Sequence, residues 1–204
     1  MALSIDELNK LKTVPAEGLM PAIAHRWSPR AFTEAPVSAN DLKLILEAAQ
    51  WAASSSNSQP WRYFVGVKGS ETHGKIFDLL VDGNKAWADK PHVLILGVAV
   101  AKGGKGNPNP YALYDLGQSV VSLILQATAL GLGTHSMGGF NREAAISAFN
   151  LGEEYLLGAV IAIGHQAEPS TLPNETLHER EIAPRQRKPL EEIALLALDK
   201  PLQL

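Results

Sequence analysis

Two short basic segments of this chain have the composition of a phosphate-binding site. Residues 25–30 (HRWSPR) place a serine hydroxyl between Arg26 and Arg30, and residues 184–189 (PRQRKP) form a second group of cations near the other end of the chain. A guanidinium donates paired, planar hydrogen bonds, so two arginines flanking a hydroxyl suit phosphate oxygens. Each segment by itself is equally compatible with a solvated basic turn or an exposed tail.

Two further clusters carry uncharged groups that could contact a ligand. Residues 54–59 (SSSNSQ) supply six consecutive side chains able to form hydrogen bonds, and Pro60 and Trp61 follow directly. Loops are commonly rich in serine and asparagine, so a plain connector remains an alternative. In residues 131–140 (GLGTHSMGGF), paired glycines would let backbone N–H groups approach a flat ligand closely. A helix C-terminus followed by a turn would use the same residues.

Other common kinds of catalytic site lack their motifs in this sequence. Cysteine is absent, which excludes disulfides, thiolate metal sites and cysteine nucleophiles. The six histidines show no helical metal-binding spacing, and no Gly-x-Ser-x-Gly motif occurs, so we expect no metal site and no serine hydrolase. Residues 102–110 (KGGKGNPNP) lack the Gly-Lys-Ser/Thr ending of a phosphate-binding loop, which favours a surface loop.

Length and composition indicate one globular domain over residues 1–204. The 18 basic and 21 acidic residues leave a net charge of −3, which argues against nucleic-acid binding. The N-terminus lacks the features of a signal peptide. The longest apolar tract, residues 116–132, is interrupted by polar side chains and falls short of a membrane span. We therefore expect a cytoplasmic protein that does not bind membranes.

Hydrophobic periodicity predicts the elements that would position these clusters. Ser4 and Ser38 have the sequence context of helix N-caps, the first as part of a Ser-x-x-Glu capping box. A long helix over 110–130 is apolar around most of its circumference, which predicts a central position. The remaining predictions are strands over 62–68, 93–101 and 156–164, helices over 17–26, 70–81 and 141–149, an irregular segment over 166–184, and a helical or strand-bearing tail over 190–198.

Taken in order, the four clusters resemble the nitroreductase family of FMN-dependent oxidoreductases. The matching motifs are Arg-x-Ser-x-Arg-x-Phe from Arg26, Ser-x-x-Asn-x-Gln-Pro-Trp from Ser54, Gly-Leu-Gly-Thr from Gly131 with Gly-Gly-Phe from Gly138, and Arg-x-Arg-x-Pro from Arg185. The match extends over residues 26–189. The resemblance implies an α+β fold with a mixed, largely antiparallel central sheet flanked by helices. It also implies an interlocked homodimer with FMN at its interface.

The resemblance further implies which residues hold the cofactor. The phosphate would be bound by Arg26, Ser28, Arg185 and Arg187. Arg30 would lie at the pyrimidine edge of the flavin, where a cation stabilises the charge that develops on hydride uptake. Ser54, Asn57 and Gln59 would bond to ribityl and ring atoms, some of them from the partner subunit. The implied set is completed by Trp27, Ser55, Ser56, Met137, and the backbone of Gly138 and Gly139 beside the flavin nitrogen that carries the hydride.

Two positions depart from the family pattern. Ala53 replaces a proline that many relatives have before the serine, and Gly138 stands where some members carry glutamate. No side chain stands out as a proton donor. His135 and Tyr111 are candidate neighbours of the acceptor, although a core histidine and a tyrosine at a helix start are the plainer interpretations. The loop over 102–110 is a candidate flexible rim of the substrate pocket.

The function implied by the resemblance is a ping-pong oxidoreductase. NADH or NADPH would donate a hydride, and a nitroaromatic, a quinone or a similar small electron-poor molecule would accept it. Three alternatives remain open from the sequence. They are the same fold acting on an enone, an aldehyde or a halogenated aromatic, a non-catalytic FMN-binding or storage protein, and a structural domain without cofactor.

Overall fold

The computed structural model of the chain describes residues 3–14, 17–102 and 106–203. In chain order, its helices and strands are α1 (Ile5–Lys12), α2 (Pro21–His25), α3 (Ala39–Gln50), β1 (Trp61–Val67), α4 (Glu71–Leu79), α5 (Asp82–Ala88), β2 (Val93–Val100), α6 (Ala112–Ala129), β3 (Gly133–Met137), α7 (Arg142–Ala148), β4 (Tyr155–Gly164), α8 (Glu175–Ile182), β5 (Leu195–Ala197) and β6 (Lys200–Pro201).

The predicted N-caps begin their helices. Ser4 Oγ accepts a hydrogen bond from the Glu7 amide at 3.3 Å, and the Glu7 carboxylate accepts one from the Ser4 amide at 2.9 Å, which completes the capping box of α1. Ser38 Oγ accepts from the Asp41 amide at 3.0 Å and caps α3 in the same way. Both predictions are confirmed, because capping depends on residues only three positions apart.

Four strands form one antiparallel sheet in the order β1-β2-β4-β3. The predicted β1, β2 and β4 are confirmed to within one residue at each end. The largely antiparallel sheet is also confirmed, and the strand pairs of the described residues include no parallel one. β5 and β6 form a separate small hairpin in the tail, after a short 3-10 turn over Leu190–Glu192.

Helices cover both faces of the sheet. On one face, side chains of α3 and α6 such as Ile45 and Leu123 pack against Val93 and Ile95 of β2. On the other face, α4, α5 and α7 pack against the alternate positions of β2, where Leu94 and Leu96 point. β2 is buried on both faces, which explains its continuous apolar sequence.

The sequence did not predict β3, α5 or α8 as separate elements. The β3 sequence, GTHSM, has no alternating apolar pattern, and the strand forms because β4 offers a free edge for pairing. α8 lies in the segment expected to be irregular, and its only buried apolar side chain is Leu177. The predicted helix over 70–81 ends at Leu79, and α5 begins after a short break.

Only one side of α6 is buried in the core, and the opposite side is exposed. Leu116, Leu123 and Ala127 are buried against the sheet and α3, whereas Leu113 and Val121 on the opposite side are exposed. The expectation of a helix buried around most of its circumference is therefore wrong within one chain, because the described residues leave Leu113 and Val121 uncovered. In the parts of the chain that the structure describes, no helix has both the length and the hydropathy needed to cross a membrane.

Candidate functional site

Residues from both ends of the chain line one basic cavity of about 260 Å³. The segment after α2 contributes Arg26 and Ser28, and the segment after α8 contributes Arg185 and Arg187. The fold thus brings together the two basic segments that the sequence analysis selected. The cavity wall also includes two cations that were not predicted from the sequence, Lys12 at the end of α1 and Arg180 of α8.

Arg185 joins two helix ends at the wall of this cavity. Its Nη1 donates to the backbone oxygen of Lys12 at 2.9 Å and to that of Ala24 at 3.0 Å, in the last turns of α1 and α2. A cation is favourable there because the carbonyl groups at the C-terminal ends of helices carry partial negative charge. The Nε of Arg185 is buried and has no acceptor among the described residues. This orphaned donor is available to an anion in the cavity.

The cations of the cavity repel one another. Burial lowers the pKa of Arg26, and the neighbouring charge of Arg187 lowers it further. Burial likewise lowers the pKa of Arg185, with Arg26 and Arg187 adding to the effect. No ion pair in the described residues neutralises any of these three arginines. A phosphate monoester with a charge of about −1.5 to −2 would relieve this repulsion, so the donor set fits such a group.

A buried carboxylate, Glu181 of α8, holds the segment between Arg26 and Phe32 in place. Its Oε1 accepts from the amides of Arg30 at 2.9 Å and Ala31 at 3.0 Å. Burial raises the pKa of Glu181, while these amides and the charges of Arg30 and Lys12 oppose the rise. The role of Glu181 could not be predicted from the sequence, because its partners lie about 150 residues away in the chain.

Arg30 lies apart from the other predicted phosphate ligands. Its Nη1 is 4.0 Å from Oε2 of Glu181, and its side chain lines a second cavity of about 230 Å³ next to Phe32 and Trp87. The structure therefore separates Arg30 from the Arg26 cavity. This separation agrees with a different role for Arg30 and leaves its position at a flavin edge a prediction.

Trp27 packs within its own chain. The side chain is buried, and its Nε1 donates to Oδ1 of Asn9 in α1 at 3.1 Å. Trp27 also borders the basic cavity, with the Lys12 ammonium above its ring. A contact between Trp27 and α1 was not foreseen from the sequence, since the two are joined only by tertiary packing.

The serine-rich loop, residues 54–59, has an unusual backbone. Ser56, Asn57 and Gln59 have φ values of 51°, 53° and 45°, in the left-handed region that non-glycine residues rarely adopt. Strain of this kind persists only where surrounding contacts enforce it, and it concentrates at functional sites. Here Ser54 Oγ accepts from the Gln59 amide at 3.0 Å, which closes the loop on itself. The side chains of Asn57 and Gln59 remain exposed.

Asp115 anchors this loop to α6. The carboxylate is buried, and its Oδ2 accepts from the Ser55 amide at 3.1 Å. A single acidic residue inside an apolar helix is a signal that could have identified Asp115 from the sequence. Its contact shows that the position of the serine-rich loop depends on α6.

The serine-rich loop and the basic cavity are attached to opposite ends of the sheet. The loop precedes β1, whose first residue, Trp61, pairs with Ala99 of β2 at one end of the sheet. The segment that follows Arg26 pairs through Phe32 with Gln166, just beyond the other end of β4. β4 has 10 residues, and at about 3.3 Å per residue it separates these points by about 30 Å. One chain does not bring the serine-rich loop to its own basic cavity.

The glycine-rich segment, residues 131–140, contains β3, which is an edge strand of the sheet. The Met137 side chain is in the core, so that only its backbone can reach a ligand. Gly138 is exposed, and a Cβ there would meet nothing within 4 Å. At Gly139 a Cβ would lie 3.0 Å from side-chain atoms of Asn84 and Val81, so a larger residue there would require these side chains to shift. An open backbone at Gly138 is accessible to a flat ligand.

His135 connects this edge strand to the first basic segment, residues 25–30. Its Nδ1 donates to the Pro29 carbonyl oxygen at 2.9 Å, and its ring packs on Trp87 with centroids 4.7 Å apart. Burial lowers the pKa of His135 to about 4, and the charge of Arg30 contributes to the lowering. The imidazole is therefore neutral at physiological pH and acts as a structural link, which matches the plainer of the two interpretations.

This link predicts a pH dependence of stability. In the unfolded chain His135 takes up a proton near its ordinary pKa of 6.5, whereas in the folded protein it does so only near 4. We expect its contribution to the free energy of unfolding to fall by up to about 3 kcal/mol as the pH drops through this window. Urea unfolding at a series of pH values measures it. His135→Asn keeps a donor for Pro29 and should lose this slope; an identical slope in the variant would contradict the assignment.

Tyr111 lies at the other end of the sheet, beside the serine-rich loop. It is exposed and lines a cavity of about 650 Å³ together with Ser55, Arg62 and Lys102. The loop over 102–110 borders the same cavity through residues 107–110, while residues 103–105 lie outside the described part of the chain. Its role as a substrate rim stays a prediction.

Comparison with known proteins gives consistent similarities. Residues 23–86 and 80–165 match the sequence profile of the nitroreductase family. An uncharacterised 15.4 kDa protein of Mycolicibacterium smegmatis is 33% identical over 141 residues, covering 65% of this chain and 93% of that protein. A protein of Archaeoglobus fulgidus described as a candidate NADH dehydrogenase/NAD(P)H nitroreductase is 26% identical over 155 residues, covering 73% of this chain and 86% of that protein.

Two solved structures resemble almost the whole chain. A crystal structure of an oxidoreductase containing FMN superposes with a TM-score of 0.85 at 32% identity, covering 99% of this chain and all of that one (100%). A candidate nitroreductase from Desulfovibrio desulfuricans, in complex with FMN, superposes with a TM-score of 0.70 at 26% identity, covering 91% of this chain and 99% of that one.

Proposed function

The chain belongs to the nitroreductase family, and we propose that it is an FMN-dependent oxidoreductase that takes a hydride from NADH or NADPH and passes it to a small electron-poor acceptor. The observation that carries this proposal is the basic cavity, where Arg26, Ser28, Arg185 and Arg187 converge without counterions among the described residues. The FMN in two similar structures agrees with it.

The residues of the chain would bind and orient this cofactor. Bound FMN supplies the capacity to accept and release a hydride, and the protein holds it in position. Arg26, Ser28 and the orphaned Nε of Arg185 donate to the phosphate. The open backbone at Gly138 lets a flat ring system lie against the edge of β3. The buried Glu181 holds the backbone of Arg30 and Ala31, and His135 of β3 bonds to Pro29, which ties the Arg26–Phe32 segment to this edge.

A second copy of the chain would complete the site. The side chains of Asn57 and Gln59 are exposed in a strained loop at the far end of the sheet from the basic cavity. In a homodimer with two shared sites, the loop of one subunit faces the cavity of its partner. This arrangement explains why a loop with so many hydrogen-bonding groups lies remote from the phosphate cavity of its own chain.

An apolar surface beside this loop supports the homodimer. We call it the α6 surface: Trp51, Ala52, Ala53, Leu113, Tyr114, Gly117 and Val121. Trp51 is 86% exposed and Tyr114 69%, and a groove of about 640 Å³ runs between the end of α3 and α6. Large exposed apolar patches mark interaction sites in soluble proteins. Exposed leucines of the C-terminal segment, such as Leu196 and Leu198, form a second apolar surface.

Nitroaromatics and quinones are the acceptors we propose, because both accept electrons readily and can take protons from solvent. No side chain near the basic cavity is required as an acid in this scheme. His135 cannot serve as one at neutral pH, since burial keeps its imidazole neutral and its Nδ1 proton bonds to Pro29.

Arg30 is the candidate for electrostatic assistance. We expect Arg30→Ala to retain FMN but to lower the rate at which NADPH bleaches the bound flavin by about tenfold. The effect is modest because Glu181, 4.0 Å away, offsets part of the Arg30 charge. Anaerobic stopped-flow absorbance measures the rate, and Arg30→Lys, which keeps the charge, is the control. An unchanged rate in Arg30→Ala would remove Arg30 from this role.

The visible spectrum of the purified protein before and after anaerobic NADPH or NADH tests the proposed function. We expect a yellow protein that either nucleotide bleaches and that menadione or nitrofurazone restores to yellow. A yellow protein that neither nucleotide bleaches would instead be a binding or storage protein. A protein that retains no yellow colour after incubation with FMN and removal of the unbound flavin by gel filtration would have no flavin function. Bleaching that only an enone or an aldehyde reverses would change the acceptor class and leave the cofactor assignment intact.

A further inference from the structure

Lys12 is a buried cation for which the four-residue phosphate site has no role. It is the last residue of α1 and only 4% exposed. Its Nζ lies 4.7 Å from the centroid of the Trp27 ring and donates to the backbone oxygen of Ala183. Lys12 also lines the basic cavity. A lysine is rarely buried to this extent without a paired charge.

We propose that Lys12 is a further ligand of the FMN phosphate, contributed by the N-terminal helix. This inference rests on the proposed function. The ammonium group has three donors, and Ala183 uses one, which leaves two for another acceptor. Among the described residues no carboxylate lies within ion-pair distance of Nζ.

The electrostatic surroundings of Lys12 favour an anion. Burial lowers its pKa, and the charges of Arg30 and Arg185 lower it further, while Glu181 opposes the change. The ammonium form is thus destabilised in the absence of a ligand. A phosphate in the cavity would add opposite charge beyond the partial compensation that Glu181 supplies.

The chain holds Lys12 rigidly. Trp27 lies under its ammonium group, and the same Trp27 ring is fixed by its hydrogen bond to Asn9, one turn earlier in α1. Arg185 binds the backbone oxygen of Lys12 at 2.9 Å, which couples α1 directly to the second basic segment. Little side-chain freedom remains to be lost when the phosphate binds, so a strong contribution per hydrogen bond is expected.

A structural role is the competing explanation. Ala183 is the C-cap of α8, and a cation at a helix C-terminus is favourable in its own right. If Lys12 only caps α8, its loss would weaken the fold around the cavity. All ligands of the site would then bind less well, whether or not they carry a phosphate. FMN and riboflavin differ only in the phosphate, so the two explanations predict different results.

The experiment is a fluorescence titration of flavin-free protein with FMN and with riboflavin. Lys12→Met keeps an unbranched apolar stem against Trp27 and removes the charge. We expect it to weaken FMN binding about tenfold or more and to leave riboflavin binding unchanged, while Lys12→Arg retains most of the FMN affinity. Lys10→Met is the matched control, since Lys10 lies exposed on the same helix and outside the cavity.

Thermal unfolding of each flavin-free variant checks the fold. Lys12→Gln, which keeps a donor for Ala183, replaces Lys12→Met if the methionine variant does not fold, with the same expected result. Equal losses of FMN and riboflavin affinity, or no loss of FMN affinity, would overturn the role of Lys12 while the proposed function stands. Equal affinity of the wild-type protein for both flavins, or binding of neither, would overturn the phosphate cavity itself.

Discussion

Val121→Asp is expected to convert the protein from a dimer to a monomer and to lower its FMN affinity by about 100-fold. Val121 is 53% exposed on the α6 surface, so the substitution leaves the folded monomer intact. In a dimer, the carboxylate would be buried without a partner, which costs several kcal/mol. The monomer would lose the hydrogen bonds of Ser54, Asn57 and Gln59 to FMN, at about 1 kcal/mol each, or about 100-fold together.

Light scattering during size exclusion gives the mass, and FMN titration gives the affinity. Ile146→Asp is the matched control, because Ile146 is 47% exposed on α7, away from the α6 surface. It should remain dimeric and bind FMN normally. A monomeric Val121→Asp protein with wild-type FMN affinity would show that each chain holds its flavin alone. A dimeric variant would show that the interface lies elsewhere.

Arg26→Met is expected to lower FMN affinity by about 100-fold without lowering the stability of the flavin-free protein. Two charge-assisted hydrogen bonds from Arg26 to the phosphate, at about 1.5 kcal/mol or more each, account for the loss. The flavin-free protein gains from the substitution, because Arg26 and Arg187 repel each other in the empty basic cavity. The substitution thus weakens FMN binding but stabilises the flavin-free protein, a combination that is typical of a site organised for a ligand.

Titration with FMN and riboflavin, combined with thermal unfolding of flavin-free protein, measures both effects. Riboflavin affinity should not change, and Arg26→Lys should give an intermediate FMN affinity because an ammonium restores charge but not paired donors. A lower melting temperature together with equal losses for both flavins would identify Arg26 as a structural residue. Added inorganic phosphate should raise the melting temperature of the wild-type protein more than that of Arg26→Met.

Local sequence determined the elements whose signals lie within a few residues. Ser4 and Ser38 cap helices through amides three positions ahead, and β2 and β4 consist of nearly continuous apolar residues. These features depend on hydrogen bonds and side-chain burial that a short window contains. The motifs around Arg26 and Ser54 were likewise readable from their own residues, and with the order of the clusters they identified the family.

Tertiary structure decided the elements without a local signal. β3 is a strand because β4 presents an unpaired edge, and α8 forms within a polar segment whose Glu181 contacts amides about 150 residues away. The strained backbone at Ser56 and Asn57 also depends on distant support, from Asp115 on α6. None of these contacts leaves a periodic pattern in the sequence, because each partner lies in another element.

The basic cavity contains some residues that the sequence predicted and others that only tertiary packing brings there. Its arginines were recognisable by type and spacing, since phosphate binding requires planar, paired donors. Lys12, by contrast, belongs to an ordinary amphipathic helix, and only the packing of α1 on Trp27 and Arg185 brings its ammonium to the same cavity. The attachment of the serine-rich loop to the other end of the sheet could not be predicted from the sequence either. Residue types specify which chemistry is available, whereas distances between remote segments arise only when the chain packs.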